Sequence, residues 1–225
     1  MNLLQAMVFG IIQGLTEFLP VSSSAHLDLY GALSGAVFAP DQQVAYFAIL
    51  HLGSLAAVLV LFWRDVGQLA RAVPGTVRKV LTGRWGLFRL YEKLLCMLAV
   101  ATVPAGLVGV LFEKQIEAAF NSITMIGFCL VLTGIVLWLT RYIPTGTTGV
   151  AGMGIAKALA VGLAQALAIL PGLSRSGMTI SAALFMGIDR EIAARFSFLL
   201  SLPVVAGAGL LKLAKIDWSA ATSDF

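Results

Sequence analysis

Residues 14–27 read GLTEFLPVSSSAHL, and they interrupt an N-terminal region that is otherwise apolar. The stretch gathers one carboxylate (Glu17), one imidazole (His26), three consecutive hydroxyls (Ser22, Ser23, Ser24) and a proline (Pro20). Burying such groups in hydrocarbon is costly, so a lipid-soluble chain collects them where they act. A second interruption, PGLSRSGMT at 171–179, carries Arg175 with Ser174, Ser176 and Thr179.

The surroundings of both motifs are those of a membrane chain. Apolar residues make up 59%, charged residues 12%, and mean hydropathy is +0.94. Soluble domains carry about 25% charged residues. The net charge of +4 comes mainly from one segment, 64–93, where Arg64, Arg71, Arg78, Lys79, Arg84, Arg89 and Lys93 face only Asp65 and Glu92. A basic loop between two apolar runs is held on the cytoplasmic side, so the charge speaks to topology and implies no nucleic-acid partner. Cys96 and Cys129 lie in apolar runs and suit packing rather than a disulfide framework or metal site. The N-terminus lacks the basic segment of a signal peptide, so none is expected there.

Working outward, residues 2–16 should be helical up to the break at Pro20, with a new helix at about 25–33 capped by the serines. A spanning helix needs about 20 apolar residues, and neither arm reaches that. The expected form is a re-entrant hairpin, whose irregular tip is tolerated where it is buried in protein or lines a wet cavity. Residues 34–43 read as a loop, 44–62, 94–112 and 118–140 as spans, 64–93 as the basic loop, and 141–157 as a connector. Residues 158–170 and 176–188 flank PGLSRSGMT as a second hairpin. A charged turn at 189–195, a span at 196–211 and a polar tail complete the chain.

The two halves repeat. Gln13 precedes Pro20 and the serine cluster; Gln165 precedes Pro171, Ser174 and Ser176; each hairpin leads into a span that starts with Phe, at Phe47 and Phe196. With 64–93 inside, the first hairpin opens outward and the second opens to the cytoplasm, so the repeats are inverted. The expectation is an all-α, polytopic integral membrane bundle forming a single domain, 1–225, with repeat one at about 1–93 and repeat two at about 150–225. In such architectures the broken helices of the two halves meet near the midplane, which places Glu17, Ser22–Ser24 and His26 near Ser174, Arg175, Ser176 and Thr179.

These residue types point to phosphate chemistry. Arg175 offers fixed donors to phosphate oxygens at the start of a helix, whose free N–H groups also favour anions. Ser174, Ser176 and Thr179 add hydroxyls. On a helix, His26 would share a face with Ser22 and Ser23, so a serine activated by an imidazole is one expectation and water activated by His26 is another. Glu17, with Gln13 one turn away, suits a divalent cation bridging phosphate oxygens. His51 and Gln165 read as lone packing or hydrogen-bonding groups.

QGLTEFLPVSSSAHL at 13–27 and PGLSRSGMT at 171–179 resemble the BacA-type undecaprenyl-pyrophosphate phosphatases, and the resemblance extends through FAILHLGS at 47–54 and GIDREIAARFSFLLSLP at 187–203. It implies a bacterial plasma-membrane hydrolase that removes the terminal phosphate of a C55 polyprenyl pyrophosphate, recycling the carrier for cell-wall synthesis, with a link to bacitracin resistance. It implies a metal pair at Gln13 and Glu17 holding Mg2+ or Ca2+, a serine nucleophile at Ser23 and a catalytic histidine at His26. Phosphate binding falls on Ser22, Ser174, Arg175, Ser176 and Thr179. Gln13 stands where many members have Glu, which lowers the charge of the metal site by one. Members of the family usually continue past this C-terminus with two further apolar helices, so the expectation is a short member, a truncated sequence, or another subunit filling the gap; a homodimer is expected as a partner state. The site is expected to face the outside. The rival reading, motivated by the inverted repeat, is a lipid flippase that transports without hydrolysis and has no need of the Ser23 and His26 pair.

Overall fold

The computed structural model describes residues 2–36, 40–120 and 122–215. The secondary structure there is helical apart from one isolated parallel bridge between Thr148 and Ile188. The expected loop residues 37–39 and the tail 216–225 lie outside the described residues.

Helix α1 (Leu3–Thr16) opens with a reciprocal cap: Asn2 Oδ1 accepts from Gln5 N at 2.8 Å, and Gln5 Oε1 accepts from Asn2 N at 2.9 Å. That satisfies donors which a helix start leaves open. After the break at Pro20 the chain returns as α2 (Ser23–Ser34), which ends at Gly35 with φ 62°. Helix α3 (Pro40–Leu61) then meets α4 (Trp63–Leu81) at a bend of 84°.

Most of the expected basic loop is therefore helix. Asp65, Leu69 and Thr76 recur at helical spacing and are buried, so α4 folds because this stripe packs on the next helix, α5 (Leu90–Leu111). The expected span from 118 is also divided. A short helix α6 (Glu113–Phe120) precedes α7 (Ile123–Thr140), whose start is fixed by Ser122 Oγ accepting from Met125 N at 3.3 Å.

The second half comprises α8 (Ile155–Leu167), α9 (Arg175–Phe185) and α10 (Arg190–Lys215). The expected charged turn is the start of α10: Asp189 Oδ1 accepts from Glu191 N at 2.9 Å and Ile192 N at 3.2 Å, so the helix begins earlier than the apolar run does. The connector is tied down rather than loose. Thr148 N donates to Gly187 O at 3.2 Å, and Asp189 N donates to Thr148 O at 3.1 Å.

Helices α5, α7 and α10 up to Leu211 are long and apolar enough to cross a membrane, and the bent α3–α4 pair passes the same test as a unit; α1 and α8 are shorter apolar helices. The protein is thus a polytopic helix bundle. Its core lies among α5, α8 and α10, around Ala101, Val161, Phe196 and Leu199. Helix α8 crosses α5 closely: a Cβ at Gly162 would lie 2.5 Å from Ala101 O. Small residues at a crossing let two backbones approach where lipid gives no hydrophobic drive. The two halves interlock through α3 and α10. Phe198 of α10 meets Phe18 edge to face at 5.4 Å and Phe62 at 6.0 Å.

Candidate active site

The first hairpin tip turns at Ser22, which has φ 66° and is the non-glycine residue with positive φ among the described residues. An L-residue is strained there, and such strain persists where the surroundings hold it. Ser22 is buried, and α2 begins immediately after it. Across this tip the Ser23 hydroxyl donates to Glu17 Oε2 at 2.7 Å. The same oxygen accepts from Gln13 Nε2 at 2.8 Å. Gln13 Nε2 also reaches Ser54 Oγ on α3 at 3.4 Å, and His51 Nε2, one turn earlier on that helix, lies 3.6 Å from Glu17 Oε2.

The second tip is held by α7. Gly172 has φ 88°, and a Cβ there would lie 2.3 Å from Ile126 O, so the turn needs glycine twice over. Thr133 Oγ1 accepts from Ser174 N at 3.1 Å and donates to Cys129 O at 3.0 Å. Ser174 Oγ caps α9 by accepting from Gly177 N at 3.1 Å, and Arg175 is the first residue of that helix.

The tips dock on each other. Arg175 Nη2 forms an ion pair with Glu17 Oε1, with side-chain exposures of 17% and 5%. Ser176 Oγ donates to Leu19 O at 3.0 Å, and Gly172 N donates to Ser24 Oγ at 3.4 Å. Glu17 is thereby surrounded by donors from both halves: Arg175 on one oxygen, Ser23 and Gln13 on the other.

The remaining expected site residues sit beside this group with their own bonds. His26 Nδ1 bonds to Ser22 O at 2.8 Å. A carbonyl only accepts, so the proton is on Nδ1 and Nε2 keeps its lone pair when the ring is neutral. Among the described residues His26 has no recorded bond to the Ser22 or Ser23 hydroxyl. For Ser22 the helical spacing fails because that residue leaves helical geometry; Ser23 shares α2 with His26, but its hydroxyl bonds to Glu17 instead. Ser22 Oγ instead lies 3.3 Å from Ser24 Oγ. Thr179 Oγ1 donates to Arg175 O at 2.8 Å and lies 2.6 Å from Ser197 Oγ of α10. Ser174, Ser176 and Thr179 are buried and hold the second tip together.

Two capacities follow from this arrangement. Arg175 stands at the start of an 11-residue helix, where N–H groups not taken by the Ser174 cap lack an intrahelical acceptor, an arrangement that favours an anion. Gln13 Oε1 is buried with no hydrogen-bond partner, beside a carboxylate. An orphaned amide oxygen next to Glu17 fits a hard cation. Among the described residues no group of three or more His, Cys, Asp or Glu is placed to hold a metal ion, so such a cation would rely on substrate oxygens for the rest of its shell.

His51, Ser54, Thr133 and Ser197 were not singled out as site residues by sequence. For His51 and Ser54 a signal existed: two polar groups three residues apart on one face of an apolar helix. Thr133 and Ser197 are single hydroxyls in apolar runs, and nothing local sets them apart.

The fold and this group define a multi-pass membrane protein with two broken hairpins whose tips share a buried Arg–Glu–Ser cluster. The chain belongs to the BacA family, whose profile, described as Bacitracin resistance protein BacA, matches residues 6–224. It is 42% identical over 220 residues to an undecaprenyl-diphosphatase of Methanobrevibacter smithii, an alignment covering 96% of this chain and 78% of that protein. It is 45% identical over 214 residues to one of Desulfosudis oleivorans, covering 94% and 77%. A third, from Thermomicrobium roseum, is 43% identical over 231 residues, covering 96% and 78%.

Proposed function

We propose that this chain is a membrane hydrolase that converts undecaprenyl pyrophosphate to undecaprenyl phosphate and inorganic phosphate, recycling a lipid carrier of cell-wall synthesis. Relatives named undecaprenyl-diphosphatase, at 42–45% identity, support the substrate. The observation that carries the reaction is the Ser23–Glu17–Arg175 group at the junction of the two hairpins.

In this reading the terminal phosphate binds Arg175 and the opening N–H groups of α9, displacing the guanidinium from Glu17. Glu17, released from its ion pair, accepts the proton of Ser23 as Ser23 Oγ attacks the terminal phosphorus. The bond from that phosphorus to the bridging oxygen breaks, and undecaprenyl phosphate leaves with the electron pair. Water then attacks the phosphoserine, with His26 Nε2 placed as base, and releases phosphate while Ser23 regains a proton. Ser174, Ser176 and Thr179 hold the shape of the loop under the phosphate. A divalent cation, Mg2+ or Ca2+, would be held by Gln13 and Glu17 together with substrate oxygens, and would supply charge neutralisation on the pyrophosphate.

The membrane is the bacterial plasma membrane, with the site facing outward, because residues 1–43 carry no Lys or Arg while 64–93 is basic. Labelling a Ser34→Cys protein from each side tests this orientation, and reaction from the cytoplasmic side alone refutes it. The reaction is tested by phosphate release from undecaprenyl pyrophosphate, with the purified chain in detergent beside Arg175→Ala. Release by the parent and its loss in the variant is the expected result. Full release by Arg175→Ala would sink the assignment.

A further inference from the structure

Helix α4 has three faces, and two of them have no role in the hydrolytic site. The first face is buried and fixes the helix in rotation. At one end Asp65 accepts from Tyr91 at 3.0 Å and pairs with Arg195 of α10. At the other, Lys79 pairs with Glu92, and Thr76 Oγ1 lies 3.5 Å from Glu92 O. Helix α4 passes so close to that side chain that a Cβ at Gly75 would lie 2.2 Å from Glu92 Oε1.

The second face is apolar and exposed: Trp63 is 65% exposed, Val77 50% and Leu81 81%. The third is a cationic line. Arg64, Arg71 and Arg78 recur every seven residues. At 100° per residue they fall within about 40° of one another, and about 90° from the centre of the face that Trp63, Val77 and Leu81 mark. None of the three has a carboxylate partner among the described residues. Arg64 instead lies over the Trp63 ring at 5.5 Å.

The 84° bend decides how these faces meet a bilayer. With α3 as the crossing arm, in keeping with its uncharged run over 44–62, a bend of this size lays α4 nearly parallel to the membrane plane. In that orientation, with the buried side against α5, the apolar face would meet the acyl chains and the arginines would lie along its flank at headgroup depth. That is the geometry of an interfacial amphipathic helix. The line of unpaired guanidiniums is complementary to phosphate-bearing, net-anionic headgroups, and a guanidinium binds phosphate with more than one donor.

We propose that α4 is an interfacial helix that binds anionic phospholipids along Arg64, Arg71 and Arg78. The inference rests on the multi-pass fold and is independent of the hydrolytic reading.

The test uses the full chain with Trp85, Trp138 and Trp218 changed to Phe, leaving Trp63 as the fluorophore beside the line. The protein is reconstituted in phosphatidylcholine vesicles containing either chain-brominated phosphatidylglycerol or chain-brominated phosphatidylcholine. Relative association constants follow from the quenching. Phosphatidylglycerol should associate more strongly at Trp63, on the order of fivefold, with the preference falling as salt rises. R64Q/R71Q/R78Q should bring the ratio to about one, R64K/R71K/R78K should keep most of it, and each single Gln variant should lose a part. Equal quenching in the parent, or an unchanged preference in the triple Gln protein or in all three singles, overturns the proposal.

Discussion

The Ser23 hydroxyl donates to Glu17 Oε2 at 2.7 Å, while Arg175 holds the other oxygen of the same carboxylate. One side chain thus touches both the proposed nucleophile and the proposed phosphate anchor, and it does so across 158 residues of sequence on the Arg175 side. In the resting protein each group occupies another: Arg175 neutralises Glu17, and Glu17 orients Ser23. In the proposed reaction, an anion bound at Arg175 would release the carboxylate to act as a base.

Ser23→Ala should therefore abolish turnover while leaving the fold intact. Ser23 is half-buried, and its recorded side-chain bond is to Glu17. Removing a nucleophile costs on the order of 10³ or more in kcat. The measurement is phosphate release from the lipid pyrophosphate alongside the thermal midpoint. A drop in kcat with an unmoved midpoint is expected.

The ion pair should behave differently. Arg175→Ala leaves the Glu17 carboxylate buried without its cation, and breaking a buried pair in this way destabilises by about 3–5 kcal/mol. Glu17→Gln frees Arg175 from its carboxylate but removes the proposed base and one proposed cation ligand, so kcat should fall by about 10² or more. In the double variant E17Q/R175M no buried charge is left unpaired, so most of the stability should return without the activity. Thermal midpoints of the three proteins, with KM and kcat of Glu17→Gln, check the set. A double variant as unstable as Arg175→Ala contradicts this account of the pair.

Sequence alone placed both hairpins, because Pro20 and Pro171 each stand in a polar run that a membrane tolerates only at a buried site. It grouped Glu17 with Arg175 through the repeat rather than through any local spacing. What it misread has a physical cause in each case. Dense arginines hid α4, although Leu69 and Thr76 at seven-residue spacing carry a helical stripe. Ser23 and His26 do share α2, but the Ser23 hydroxyl turns to Glu17, a partner on the other side of the Pro20 break that helical spacing cannot reveal. His51 reads as a packing or hydrogen-bonding residue, and it does bond to Phe47 O; its approach to Glu17 is invisible in the sequence because Glu17 comes from another element.

The orphaned Gln13 Oε1 beside Glu17 motivates the prediction of a cation requirement. Chelation should remove activity, and Mg2+ should restore it. Gln13→Ala should raise the half-saturating Mg2+ concentration by about tenfold or more, the loss typical when a group supporting a metal is removed. Gln13→Glu adds a second carboxylate and should lower it. Titrations of activity against free Mg2+ in the three proteins measure this, and identical half-saturation in all of them places the cation elsewhere.

Thr133 is predicted to act on the reaction from outside the polar cluster. It is 2% exposed, and its hydroxyl accepts from Ser174 N and donates to Cys129 O, tying the turn before Arg175 to α7. Thr133→Val keeps the shape and removes both bonds, leaving a buried N–H unsatisfied at a cost of about 1–3 kcal/mol. The loop can then shift, and a shift of about 1 Å in a positioning group can lower a rate by about 10². Thr133→Ser keeps the hydroxyl and should retain both stability and kcat. Because Arg175 itself is untouched, kcat should fall in Thr133→Val more than binding weakens. Equal kcat for the Val and Ser proteins would mean that the tip is held without Thr133, by Gly172 against Ile126 and by the bonds of Gly172 and Ser176 to the first hairpin.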